Sequence, residues 1–127
     1  MLVAASVFAL IAAAIHVYIF VLESIRWTAP ATMELFRIPD AEQAAHTQAL
    51  AYNQGFYNLF LAMGAVVGVL LLARGNIPVG ASLIGFAAVS MMLAGVVLLV
   101  KDRRMLRPAL IQAVPAFLAL VFLIAGI

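Results

Sequence analysis

Four long apolar runs, separated by short polar breaks, dominate the pattern of the chain. They lie at about residues 2–25, 48–73, 78–100 and 108–127, and a membrane-spanning helix needs about twenty such residues. Each run is therefore expected to cross the membrane once. The pattern predicts an all-α membrane protein, a four-helix antiparallel bundle that forms a single domain over residues 1–127.

The polar breaks contain residues that start helices. Pro78 and Pro108 are placed to open the third and fourth helices, because the first turn of a helix tolerates proline. In the longest connection Asp40 is followed three positions later by Gln43, which is a helix-capping pattern. The second helix is therefore expected to begin near residue 41 and to extend beyond the lipid before its apolar part.

Composition supports lipid as the solvent of this chain. Hydrophobic residues make up 68% of the sequence, against seven basic and five acidic residues, and mean hydropathy is +1.21. A soluble domain is closer to half apolar. Cysteine is absent, which excludes disulfides and thiol chemistry. The apolar N-terminus lacks the positive region of a signal peptide, so we expect it to be retained.

The basic residues are distributed unevenly between the two sides of the predicted bundle. The opening connection and the one before the last helix contain six of them, and the remaining connection contains one. Basic residues favour the cytoplasmic side, so both termini are predicted to be extracytoplasmic (N-out/C-out). The same clustering argues against nucleic-acid binding. The six are Arg26, Arg37, Lys101, Arg103, Arg104 and Arg107, and the one is Arg74.

Polar residues within the first helix share a face. His16 and Glu23 are seven positions apart, which at 100° per residue places them on one side of a regular helix, separated by roughly 10 Å. Phe20 and Trp27 fall on the same side. Ionisable groups inside a membrane helix are costly and need a partner, which makes His16 the hardest to explain as a packing residue. The same face continues outward through Ala5, Ala9 and Ala13.

The second helix shows a matching arrangement. Its polar arc consists of Asn53, Gln54, Tyr57 and Asn58. Gly64 and Gly68 form a GxxxG pattern, which permits close helix packing, and we expect it to contact the alanine face of the first helix. The two polar faces would then oppose each other in a cleft that opens to the cytoplasm, with Gln112 as a further contributor.

Simpler interpretations exist for each of these residues. Amides in membrane helices often only bond to neighbouring helices, for about 0.6–2 kcal/mol each. Glu23 could be a solvated charge at the helix end, and Trp27 an interfacial aromatic residue. The chain lacks the common nucleotide, hydrolase and zinc-protease motifs, and its two histidines make a poor metal site, so no metal and no cofactor are predicted.

Two stretches resemble a known family. HVYIFVLE at residues 16–23 and AYNQGFYNLFLA at residues 51–62 look like the uncharacterised bacterial membrane-protein family catalogued as domain of unknown function 1304. The resemblance implies a four-helix protein of the bacterial inner membrane and does not imply an activity. It emphasises His16, Phe20, Glu23, Asn53, Gln54, Gly55, Tyr57 and Asn58.

The leading functional hypothesis is binding of a small hydrophobic or amphiphilic molecule in the cleft. Phe20, Trp27 and Tyr57 would supply apolar walls, while His16, Glu23 and the amides would hold a polar head. One alternative is a membrane-embedded isomerase or hydrolase that uses His16 and Glu23 for acid–base catalysis. Others are a small proton-coupled exporter and a structural accessory subunit. The expected partners are the lipid bilayer and such a ligand. Association with further copies of the same chain into a homo-oligomer is left as an alternative.

The charge distribution generates a topology prediction. A reporter fused at the C-terminus should behave as periplasmic, and a reporter fused after Arg104 as cytoplasmic, because the basic connections stay inside. Activities of paired alkaline phosphatase and fluorescent-protein fusions measure this. The reverse pattern at both positions would contradict the orientation.

Overall fold

The computed structural model describes all residues 1–127, and its regular structure is entirely helical. Four helical stretches are long and apolar enough to cross a membrane, with mean hydropathies from 1.9 to 2.6. The all-α prediction with four spanning helices is therefore confirmed. The elements are α1 (Leu2–Phe20), a π-helical turn (Val21–Ile25), α2 (Pro30–Leu35), α3 (Ala41–Ala73), α4 (Ile77–Lys101), a 3-10 turn (Arg103–Met105) and α5 (Leu106–Ile124).

Local polar contacts fix two of the helix starts. The backbone N–H of Gln43 donates to Asp40 Oδ1 at 2.8 Å, so the capping pattern sets the start of α3 as expected. The N–H of Val79 donates to Asn76 Oδ1 at 3.4 Å at the start of α4. Between α3 and α4, Gly75 has a φ of +84°, a left-handed conformation that glycine adopts without strain.

Helix α3 is longer than a bilayer requires. Its 33 residues span roughly 50 Å at 1.5 Å per residue, against a hydrocarbon core of about 30 Å. The polar residues are concentrated near its start, in AEQAAHTQ at 41–48. The length of α3 is consistent with the prediction that its first turns extend beyond the hydrocarbon.

The residues group into two compact units, which are described separately. The first comprises residues 1–15 and 61–127, and the second comprises residues 16–60. The core of the first unit is unusually rich in alanine, because small side chains let membrane helices approach closely. The rings of Phe8 and Phe122 stack at its edge, 5.6 Å apart and nearly parallel. Buried alanines of this core are Ala5, Ala9, Ala12, Ala13, Ala62, Ala65, Ala87, Ala88, Ala116 and Ala119.

Helices α3 and α4 pack backbone to backbone at two glycines. A Cβ added to Gly80 would lie 2.7 Å from the backbone nitrogen of Leu72 and 2.8 Å from the carbonyl oxygen of Gly68. A Cβ on Gly68 would similarly meet Ile84 and Gly80 of α4. The tight turn at residues 74–76 explains this pairing, since it brings the end of α3 beside the start of α4.

The expected contact of the GxxxG pattern with the alanine face of α1 is therefore wrong. Gly68 packs against α4, and a Cβ on Gly64 would meet nothing within 4 Å. The sequence motif specifies that a close approach is permitted, but it does not specify which helix makes it. A second close approach joins α4 to α5, where a Cβ on Gly95 would lie 2.9 Å from Ala113 Cβ.

The two glycines of α3 and α4 provide a matched test. Gly80→Ala should lower the melting temperature in detergent, by an overpacking penalty of about 1–3 kcal/mol, because the new methyl group meets backbone atoms. Gly64→Ala should be neutral or stabilising by up to about 1 kcal/mol, because alanine is the better helix former and the space is free. Circular dichroism melts of both variants measure this. Equal destabilisation by the two changes would contradict the α3–α4 packing.

Candidate functional site

All eight predicted ligand-binding residues belong to the second unit. This unit consists of the end of α1, the π-helical turn, α2 and the first part of α3. The residues are His16, Phe20, Glu23, Trp27, Asn53, Gln54, Tyr57 and Asn58.

Glu23 lies within the π-helical turn. The backbone N–H of Arg26 closes this turn by donating to the carbonyl of Val21 at 2.9 Å, five residues earlier. A π turn contains more residues than an α turn, so the 100° spacing that placed His16 and Glu23 on one face does not hold across residues 21–25. His16 is fully buried and Glu23 is half-buried. The π turn ends the helix, and π turns are common at helix C-termini.

The carboxylate of Glu23 bonds to α3 across the unit. Asn58 Nδ2 donates to Glu23 Oε2 at 2.7 Å, and the same nitrogen donates to the carbonyl of Gln54 at 3.2 Å. Both amide hydrogens of Asn58 therefore have acceptors. Glu23 forms no ion pair, since the structure's salt bridge joins Arg104 to Asp102. The half-buried carboxyl group of Glu23 therefore accepts one hydrogen bond, from the neutral amide of Asn58.

A serine and a glycine let the π turn approach α3. Ser24 Oγ donates to the carbonyl of Tyr52 at 2.7 Å. A Cβ added to Gly55 would overlap Ser24 Oγ and would lie 3.1 Å from Glu23 Cβ. Reasoning from the individual residues missed Ser24, and only the family resemblance emphasised Gly55. A lone glycine within a membrane helix was the available signal, since such glycines mark close backbone approach.

An aromatic cluster surrounds Phe56, a residue that the sequence analysis did not select. Its ring centroid lies 5.0 Å from that of Phe20 in an edge-to-face arrangement, 5.0 Å from that of Tyr52 and 6.2 Å from that of Phe60. Phe20 thus belongs to an aromatic cluster with Phe56, and its predicted role as the wall of a binding site stays a prediction. Tyr52, a member of the same cluster, is 54% exposed.

Trp27 is anchored next to the short helix α2. Its Nε1 donates to Thr47 Oγ1 at 3.1 Å, and its ring lies 5.2 Å from that of Phe36. Thr32 of α2 is buried in the same unit. The indole N–H of Trp27 is therefore already bonded to Thr47 of α3. Only the apolar surface of its ring remains available for a ligand.

The remaining predicted residues lie apart from the Glu23–Asn58 bond. Asn53, Gln54 and Tyr57 are exposed on α3, and their side chains form no hydrogen bond within the chain. Gln112 lies in the other unit, where its Cγ would be 3.3 Å from a Cβ on Gly95. The binding roles of all these residues stay predictions. The structure contains no group of three residues that could hold a metal ion.

The contact between the π turn and α3 generates a prediction. Gly55→Ala should destabilise the protein by about 1–3 kcal/mol, because its methyl group would occupy the position of Ser24 Oγ. Ser24→Ala should partly rescue that variant, since it removes the obstructing oxygen. Melting temperatures of both single variants and the double variant give a coupling energy, expected at about 0.5–3 kcal/mol. Purely additive effects would contradict the contact.

Comparison with known proteins gives a family and no activity. The sequence profile of a protein family of unknown function, DUF1304, matches residues 10–124. No curated protein and no solved structure shows significant similarity to the chain. The profile covers the π turn, the Glu23–Asn58 bond and the aromatic cluster. The chain is an integral membrane protein that belongs to the DUF1304 family of unknown function.

Proposed function

We propose that residues 16–60 bind a small hydrophobic or amphiphilic molecule within the membrane boundary. The observation that carries the proposal is the half-buried Glu23 carboxylate, bonded to Asn58 at 2.7 Å and without an ion-pair partner. Ligand sites typically combine apolar walls with a few precisely placed polar groups. Here the aromatic cluster supplies the wall, and Glu23 with Asn58 supplies the polar group.

The surrounding residues support a ligand with both polar and apolar parts. Asn53 and Gln54 have free amides on α3, while Tyr57 is 57% exposed beside them. We assign these amides to the polar end of the molecule and the rings of Phe20, Trp27 and Tyr57 to its apolar part. His16 serves as a buried support of the α1 end of the unit.

The proposed setting is the bacterial inner membrane, with both termini outside. The uneven distribution of basic residues supports this orientation. The polar start of α3 would then lie on the cytoplasmic side, and the ligand would enter from the cytoplasmic leaflet. Acid–base catalysis by His16 and Glu23 is the alternative, and the π turn changes the angular spacing between these two residues.

The competing explanation is that Glu23 and Asn58 only hold the helices together. The Glu23→Gln variant distinguishes ligand binding from a purely structural role. Glutamine keeps the shape of the side chain and an acceptor oxygen for Asn58 while it removes the acidic group. We expect the melting temperature to change little, by less than about 1 kcal/mol in stability, since an interhelical bond of this kind is modest. Retention of co-purifying lipid-like molecules, measured by native mass spectrometry, should fall strongly.

Glu34→Gln is the matched control, because Glu34 is an exposed carboxylate of the same unit that forms no ion pair. It should retain bound molecules as the wild type does. Undiminished retention by Glu23→Gln, or unfolding of that variant, would instead indicate a purely structural bond.

A further inference from the structure

The half-buried carboxyl group of Glu23 bears on the chemistry of the ligand. An ionised carboxylate that is partly removed from water is unfavourable unless a cation or several hydrogen-bond donors accompany it. Asn58 supplies one donor to Oε2, and its other hydrogen is used by the Gln54 carbonyl. Arg26, the basic residue nearest to Glu23 in sequence, is exposed and forms no ion pair with it. The second oxygen, Oε1, has no hydrogen-bond donor within the chain.

The aromatic cluster flanks the contact between the π turn and α3, since Phe20 directly precedes the π turn. A Cβ on Gly55 would be 3.1 Å from Glu23 Cβ, and Phe56 directly follows Gly55. The rings of Phe20 and Tyr52 lie 5.0 Å from the ring of Phe56. Aromatic faces attract cations, and quaternary ammonium groups are commonly recognised by such rings. A carboxylate and several rings in one short segment of the fold are therefore a combination that suits an organic cation.

We propose that the ligand is a cationic amphiphile, an alkylammonium whose charged head binds Glu23 Oε1 against the Phe20–Phe56–Tyr52 rings. This inference rests on the proposed function and specifies the substrate class for the same residues. The cationic head stabilises the ionised form of Glu23, for which the chain itself supplies no cation, and the alkyl tail continues along apolar helix surface. An anionic amphiphile is excluded from the same position by repulsion from the carboxylate.

Trp27 provides a built-in reporter for the test. It is the single tryptophan of the chain and belongs to the same unit as Glu23. Brominated alkyl chains quench tryptophan fluorescence on contact. The probes are a brominated dodecyltrimethylammonium and a brominated dodecanol of the same chain length, titrated into protein in an uncharged maltoside micelle. The two probes differ in the charge of the head group and share the tail.

The ammonium probe should quench Trp27 saturably, at a concentration at least tenfold below that of the alcohol. Glu23→Gln should raise the half-quenching concentration of the ammonium probe about tenfold, equivalent to about 1.4 kcal/mol, and leave the alcohol unchanged. Glu34→Gln should leave both unchanged, because its carboxylate is exposed on α2.

Two other outcomes would refute the cation preference, and one of them would also refute the proposed binding function. Equal half-quenching concentrations of the two probes on the wild-type protein refute the cation preference while leaving the proposed binding function intact. Absence of saturable quenching by either probe refutes both. The wild-type comparison needs no variant, so it decides the question even if Glu23→Gln does not fold.

Discussion

Polar groups in a membrane span must find partners inside the protein, because lipid offers none. Three serines of the spanning helices meet this constraint within their own helix. Ser6, Ser82 and Ser90 each donate to the carbonyl four residues earlier, at 2.8–2.9 Å. Such bonds need no neighbouring helix and leave the helix surface apolar. Glu23 departs from this pattern, since its partner is thirty-five positions away on α3 and its carboxylate is only half satisfied.

Small residues pack closely in the parts of the helices that have few polar contacts. Lipid tails are as apolar as leucine, so helices in a membrane associate through tight van der Waals contact more than through the hydrophobic effect. The alanine-rich core of the first unit and the contacts at Gly68, Gly80 and Gly95 are the result. In the second unit, Gly55 has the same role, and it permits the π turn to reach α3.

The π turn connects this packing to the candidate site. It places Glu23 opposite Asn58, and the Ser24 hydroxyl fixes the turn to the carbonyl of Tyr52. A continuous α-helix would present a different set of residues to α3. The π turn thus brings the Glu23 carboxylate to Asn58, which is the contact on which the proposed cation binding depends.

The sequence alone determined the class of protein and most helix limits. Four apolar runs of sufficient length leave few alternatives to spanning helices, and the Asp40 cap marks the start of α3 through a contact three residues long. Periodicity also drew attention to Glu23 and Asn58, which the structure joins by a hydrogen bond. Each of these inferences depends on local information.

Only the tertiary structure decided which residues meet. The GxxxG pattern permits close approach to any helix, and the turn at Gly75 directs Gly68 to α4. The shared face of His16 and Glu23 assumed a regular helix, whereas the π turn changes the register by its extra residue. Phe56 is central to the aromatic cluster because its ring contacts those of both Phe20 and Tyr52. Such facts depend on contacts between distant segments, which the spacing of residues along one helix does not encode.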